Sequence, residues 1–230
     1  MTLLSVTEAA LRLPRQPLYG ISWWYVDGEA VEFAIGDADV ERDTAWATAR
    51  LAAAGLGRGH VLVAVAGPHE GGWIQPFTRA AGTLRATVAH ADRFGWDAGR
   101  VEMFTRRLPV RLVVGLPGDV ATALVERDLL AQVAAVPVLL ARPDAVGTLR
   151  AAGAACGVLA MLGPAVAMTA DPTPGAPLAY DAAEWRFDDD GTGELLVSTV
   201  GPRTSRFERA RTGVAGRVAG EGLLELVLPV

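Results

Sequence analysis

Lysine is missing from this sequence altogether, and so is asparagine; all 21 basic residues are arginine. The pattern is one of composition, a bias toward alanine, glycine, arginine and valine, but it has a chemical consequence. Schiff-base, Walker-type and adenylation chemistries that need a lysine from this chain are excluded. Cysteine occurs once, as Cys156, which rules out an internal disulfide framework and fits a reducing cytoplasm. The three histidines, His60, His69 and His90, have no ligand-like partner at helical or Cys-x-x-Cys spacing, so no metal centre is expected. No apolar run approaches the roughly 20 residues of a membrane helix. The opening "MTLLSVTEAALRLPRQ" has no basic region followed by an apolar one, so no secretion signal and no membrane partner are expected. With a net charge of −5 and scattered arginines, a nucleic-acid surface is not expected either.

What is present is the composition of a globular chain: 51% hydrophobic and 20% charged residues over 230 positions. That length accommodates one large domain or two small ones with a sizeable core. Apolar runs alternate with amphipathic segments, which predicts an α/β fold. Ser5-Val6-Thr7-Glu8 reads as the cap of a short helix ending before Pro14. "ISWWYVDGEAVEFAIGD" reads as two strands joined by Asp27-Gly28. Helices are expected over 39–54, 74–81, 97–107, 118–134 and 144–153, and strands over 60–67, 85–91, 110–116 and 136–141. Repeated strand–helix order implies parallel pairing with right-handed crossovers. From Gly157 onward the pattern becomes strand-like and punctuated by proline and glycine. The expectation is therefore a parallel-sheet α/β body followed by a mainly antiparallel β subdomain. Its parts are an N-terminal helix and hairpin (1–36), the body (37–155) and the β-rich part (156–230).

Few motifs carry chemistry on their own. His69-Glu70 lies in the glycine-rich "GPHEGGW" after a strand, where α/β sheets bind ligands, although loop chemistry alone also explains it. Gly-x-Ser-x-Gly and the phosphate-binding glycine loops are absent. Cys156 among alanines reads as a small core residue. Asp188-Asp189-Asp190-Gly191 reads as a solvated turn. "FERARTGVAGR" (207–217) concentrates arginine, glycine and threonine like the floor of an anion site, yet carries Val214 where an acid is expected.

Three collinear stretches, "ARLAAAGLGRGHVLVAVAG" (49–67), "VLLARPDAVGTLRAAG" (138–153) running on to "CGVLAMLGPAVAM" (156–168), and "GTGELLVSTVGPRTSRFERARTGVAGRV" (191–218), change the reading. Together they resemble the N-terminal domain of adenylate-forming enzymes, the acyl-CoA synthetase or AMP-binding superfamily, in particular its phenylacetate–coenzyme A ligase branch. In that family a strand ends in Gly-Ala-Glu-Pro, a later segment reads Tyr-Gly-Leu-Ser-Glu, and the domain closes with Gly-Glu-Leu-Val and Arg-Tyr-Arg-Thr-Gly-Asp. The resemblance runs from about Asp37 to Val218.

It also implies losses. The family's Thr-Ser-Gly-Thr-Thr-Gly-Lys-Pro phosphate loop falls on "SWWYVDGEAVEF". Its magnesium glutamate falls on Ala160, its adenine-stacking tyrosine on Cys156, and its ribose-gripping acid on Val214. With the sequence ending at Val230, the family's C-terminal lid and its adenylation lysine are expected to be missing. The expectation is a degenerate, cytoplasmic protein of this type, with no catalytic residue and without ATP or magnesium as cofactors. It would bind a small acyl or aryl ligand or a CoA thioester through His69, Trp73, Cys156, Ala160 and Arg211. A second reading is a structural or regulatory subunit pairing with itself or with an intact ligase, favoured by Trp23-Trp24-Tyr25. A third is a repurposed thioester-handling enzyme using Cys156 or His69.

Overall fold

Two antiparallel strands, β1 (Leu18–Val26) and β2 (Glu29–Gly36), begin the part of the chain that the computed structural model describes, residues 18–189 and 191–228. The helix expected from Ser5 onward lies outside the described residues. Asp27 and Gly28 both take positive φ, 51° and 82°, the requirement of the two-residue hairpin turn their sequence signals. Alternation along β1 buries Trp24 and leaves Tyr25 exposed, so the aromatic triplet is split between core and surface.

The hairpin feeds helix α1 (Asp37–Ala53), whose start is fixed by Asp39 accepting the Gly36 N–H at 2.9 Å. There follow β3 (Val61–Val65), α2 (Gly71–Thr83), β4 (Thr87–Ala91), α3 (Ala98–Arg107), β5 (Val110–Leu116), α4 (Gly118–Glu126), α5 (Leu130–Ala134), β6 (Val138–Ala141), α6 (Pro143–Ala151) and β7 (Gly157–Leu162). Strands β4-β3-β5-β6-β7 lie side by side and parallel in that order. Then β8 (Ala165–Thr169), β9 (Leu178–Tyr180), β10 (Trp185–Asp189), β11 (Glu194–Thr199), β12 (Ala210–Gly220) and β13 (Leu223–Leu226) continue the same sheet antiparallel, to eleven strands in the order β10-β11-β12-β13-β9-β8-β7-β6-β5-β3-β4. This is the α/β architecture expected, with the direction change at β7–β8.

The stretch 118–134, read from sequence as one helix, is two. Leu129 N–H donates to the Leu124 carbonyl and Asp128 N–H to that of Val125, with Asp128 at φ 54°. That is a Schellman ending built on an aspartate instead of a glycine. The same pair of bonds ends α1 at Gly55-Leu56, α2 at Arg85-Ala86 and α6 at Gly153-Ala154.

The parallel strands bury both faces, as their continuous apolar runs require. One face packs Val63, Val113, Leu139 and Ala160 against Val101, Val120, Leu124, Val146 and Leu149 of α3, α4 and α6. The other packs Leu62, Leu112, Leu140 and Leu159 against Leu51 of α1 and Phe77 and Ala81 of α2. Each fully buried leucine stabilises the fold by about 1.5–3 kcal/mol. Among the described residues no helix is long and apolar enough to cross a membrane.

Candidate functional site

In the parallel half, the chain leaves β3 for β4 on one side and returns to β5 on the other. The loops after β3 and β5 therefore diverge, and in open α/β sheets the crevice they leave is where ligands bind. Here the protein fills that crevice with its own ion pair. Arg142, just past β6, donates from Nε to the Gly115 carbonyl at 2.9 Å and from Nη2 to the Val65 carbonyl at 3.2 Å. It thus spans the ends of β5 and β3. Gly115 can offer its carbonyl because it sits at a register shift in β5 with φ 79°, a conformation that favours glycine.

The same guanidinium grips Glu70 bidentately, Nη1–Oε1 at 2.5 Å and Nη2–Oε2 at 2.7 Å. Arg93 Nη1 adds a third bond to Glu70 at 2.7 Å, and the Gly67 N–H a fourth at 2.7 Å. Burial alone would push the Glu70 carboxyl up; the bonds from Arg142, with Gly67 and Arg93, override it and hold the group below its ordinary value. Glu70 is thus a saturated carboxylate that ties the loop after β3 to the loop after β6.

Open space lies to one side of this plug. A groove of about 360 Å³ runs along the ends of β3 and β4 and the start of α2, its lining including Ile74, Thr78, His90, Asp92, Trp96 and Arg100. Trp96 is 62% exposed and presents the largest uncovered apolar ring of this edge. Apolar walls with a few polar side chains are the usual make-up of small-molecule sites.

A second groove, about 460 Å³, lies beneath the hairpin between Trp24, Val31, Asp27, Glu29 and Arg211. Trp24 Nε1 donates to the Arg211 carbonyl at 3.0 Å, which docks β1 on β12. Arg211 is exposed and pairs with Glu194 at 2.8 Å and with Asp27 at 2.5 Å. Both partners hold its guanidinium above its ordinary pKa, Glu194 most. Gly213 donates its N–H to Glu194 at 2.8 Å, and Thr212 Oγ1 to the Leu195 carbonyl at 2.7 Å. Val214 packs half-buried against the core. Arg211, Thr212 and Gly213 are therefore bound up in holding β12 to β11 and to the hairpin.

The five residues picked out from sequence do not share a cavity. His69 stacks on Trp23, ring centroids 6.1 Å apart, with Arg93 Nη1 3.1 Å from its Nε2. Trp73 is buried beside Trp24 and Phe33, its Nε1 donating to the Gly163 carbonyl at 2.9 Å. Cys156 and Ala160 are buried in the core of the face that carries α3, α4 and α6, whereas Trp73 packs with Met161 and Val166 of the hairpin-side cluster. The alternation of β7 thus sets Ala160 and Trp73 on opposite sides of the sheet. Burial pushes the Cys156 thiol up, against a weaker pull from Arg150. Arg211 lies at the hairpin groove. Sequence reading did not single out Arg142, Arg93, Trp96 or Arg100; the available signal for Arg142 and Arg93 was their position just after strand runs, while Trp96 lies in the turn before α3 and Arg100 in its first turn. Among the described residues no group of three or more histidine, cysteine or acidic side chains is arranged to hold a metal.

No protein-family model and no curated protein matches the sequence. Solved structures do match in fold. An open conformation of 2-hydroxyisobutyryl-CoA ligase, in complex with 2-HIB-AMP and CoA, superposes with a TM-score of 0.62 at 16% identity, covering 97% of this chain and 60% of that one. A malonyl-CoA ligase product complex with methylmalonyl-CoA and AMP gives 0.61 at 16% identity over 90% of this chain and 52% of that one. An o-succinylbenzoate CoA synthetase from Bacillus subtilis gives 0.59 at 15% identity over 91% and 49%. The chain thus spans about half to three-fifths of the length of these proteins.

Proposed function

From the premise that this chain has the acyl-CoA ligase fold, we propose that it is a non-adenylating acyl-CoA synthetase-like protein. It holds a small acyl or aryl group, or a CoA thioester, in the groove beside Trp96. The observation that carries this reading is the hairpin. Where the resemblance puts a phosphate loop, β1 and β2 are joined by Asp27-Gly28 alone, and the adjoining groove bears the carboxylates of Asp27 and Glu29. A triphosphate brought there meets two carboxylates, one of them already paired with Arg211, and none of the hydroxyls and N–H groups that cradle it in a glycine-rich loop. Arg142 and Glu70 fill the strand-end crevice beside it, while the groove at Ile74, His90, Trp96 and Arg100 stays open. An acyl or aryl body fits against Ile74 and Trp96, with its polar end toward His90 and Arg100.

The test is a melting series with ATP, AMP, aryl acids and coenzyme A thioesters. Aryl acids or thioesters should raise the melting temperature, ATP and AMP should not, and Trp96→Ala should abolish the rise. ATP–pyrophosphate exchange clearly above background would sink the proposal. The reading as a subunit that pairs with itself or with an intact ligase keeps only Tyr25 of its aromatic triplet fully on the surface, 59% exposed, since Trp24 is buried. A stable dimer or mixed complex in light scattering, with no ligand-induced rise, would favour it instead. Thioester chemistry at Cys156 finds no support, because a buried thiol of raised pKa is a poor nucleophile.

A further inference from the structure

Across α2 from the groove, a small cavity of about 30 Å³ opens between α1, α2, the β7–β8 turn and the start of β10. Its walls include the rings of Trp46, Trp73, Phe77 and Trp185, and its polar lining is Asp43 and Asp181. Trp73, Phe77 and Trp185 are each at most 4% exposed. One water needs about 10–15 Å³, so the space suits one small head group and no larger body.

The charges around it do not cancel. Arg203 is shared by Asp43, bidentate at 2.6 and 2.8 Å, by Glu184 at 3.2 Å and by Asp39 at 3.8 Å. Arg42 is shared by Asp39 at 2.6 Å and Glu184 at 2.9 Å. Asp181 accepts the Ala183 N–H at 3.1 Å, and among the described residues no arginine comes within ion-pair distance of it. Four carboxylates thus face two guanidiniums. The carboxylates do not converge as a metal-ligand set. The Arg203 guanidinium covers one side of the Trp185 ring at 4.5 Å and satisfies Asp43 bidentately, which leaves Trp46, Trp73 and Phe77 as the open aromatic walls and Asp181 as the acid without a guanidinium.

We propose that this cavity is a binding site for the ammonium head group of an alkylamine, held between the rings of Trp46, Trp73 and Phe77 and countered by Asp181. Aromatic faces attract an organic cation through their quadrupoles, and they do so best where water is displaced. Burial, with Glu184 and Asp43 nearby, pushes the Asp181 carboxyl above its ordinary value against the pull of the Ala183 N–H and Arg203, and a bound cation favours its ionised form. A neutral alcohol of the same shape gains the apolar contact and none of the charge.

The experiment follows the indole N–H signals of Trp46, Trp73 and Trp185 in a heteronuclear NMR titration with n-butylammonium, n-butanol and butyrate. The expected result is saturable movement of these signals with butylammonium, with butanol and butyrate at least tenfold weaker. Asp181→Asn, at a half-buried position bonded only to a backbone N–H, keeps the fold and should weaken butylammonium about tenfold. Trp46→Ala should weaken it further. Equal response to amine and alcohol, no response at tens of millimolar amine, or an Asp181→Asn protein that binds as before would each overturn the proposal. Signals of Trp96 report separately on the groove, so failure here is distinguishable from failure of the acyl-binding reading.

Discussion

Two buried charge clusters in this molecule are built in opposite ways. At the strand ends, one carboxylate, Glu70, is claimed by two guanidiniums and a backbone N–H. Between α1 and the segment around Glu184, two guanidiniums, Arg42 and Arg203, serve Asp39, Asp43 and Glu184, with Asp181 alongside and unclaimed. The first cluster saturates its acid and closes a crevice. The second leaves acid over and borders a cavity. Saturation makes a lock; imbalance leaves a demand that something else can meet.

The sharpest way to break the comparison is to remove each hub arginine. Arg142→Ala leaves Glu70 buried with Arg93 as its one remaining guanidinium, and should cost about 3–5 kcal/mol in urea unfolding. Arg203→Ala strips Asp43 of its bidentate partner, but Asp43 is 20% exposed and Arg42 remains for Asp39 and Glu184, so the cost should be nearer 2–3 kcal/mol. If the two losses are equal, the distinction between lock and cavity edge fails.

Acid should separate the clusters next. Glu70 has a lowered folded pKa, so its stability is present above its ordinary value of 4.5 and is lost as pH falls through the folded value. Asp181 has a raised folded pKa. In the window just above its ordinary 3.8 the folded state holds the proton more tightly, so its share of stability is gained on acidification and lost as pH rises. Unfolding free energy measured from pH 7 down to 3 should fall overall, and in Asp181→Asn it should fall more steeply over the Asp181 window.

At neutral pH that variant should unfold within about 0.5 kcal/mol of the parent, on the stabilising side, because it removes an uncompensated charge. The smallest effect is expected at Val214. Val214→Asp restores the acid that the resemblance expects, yet calorimetry should still detect no ATP binding, because Asp27, Glu29 and the Arg142 plug are untouched.

Much of the architecture was legible in the residues. The β1–β2 hairpin follows from Asp27-Gly28, and the strand at 110–116 matches β5 residue for residue. The ends of α1 and α6 follow from Gly55 and Gly153. The end of α4 was not legible, because Asp128 takes the left-handed position with no glycine to announce it. The β7–β8 hairpin was not picked out, although the Gly163-Pro164 dipeptide at its turn is a local turn signal between two apolar runs.

The candidate site was far less legible. Glu70 was visible as a loop acid, but its partners lie at Arg93 and Arg142, 23 and 72 residues away. Proximity at that separation is made by the parallel sheet, which brings the ends of β3, β4 and β6 to one edge. Nor could one sequence reveal that Cys156 and Ala160 turn from Trp73; that follows from which residues of β7 the pleat sends to each face.

Local chemistry therefore determined the elements: apolar periodicity set strands and helices, and turn residues set most of their ends. Tertiary structure decided what the charges do. An arginine's partners are chosen by whatever the fold places within about 3 Å of its guanidinium, a distance on which sequence spacing is silent. For that reason the same residue type locks the crevice at Arg142, pins the hairpin at Arg211 and leaves acid over beside Arg203.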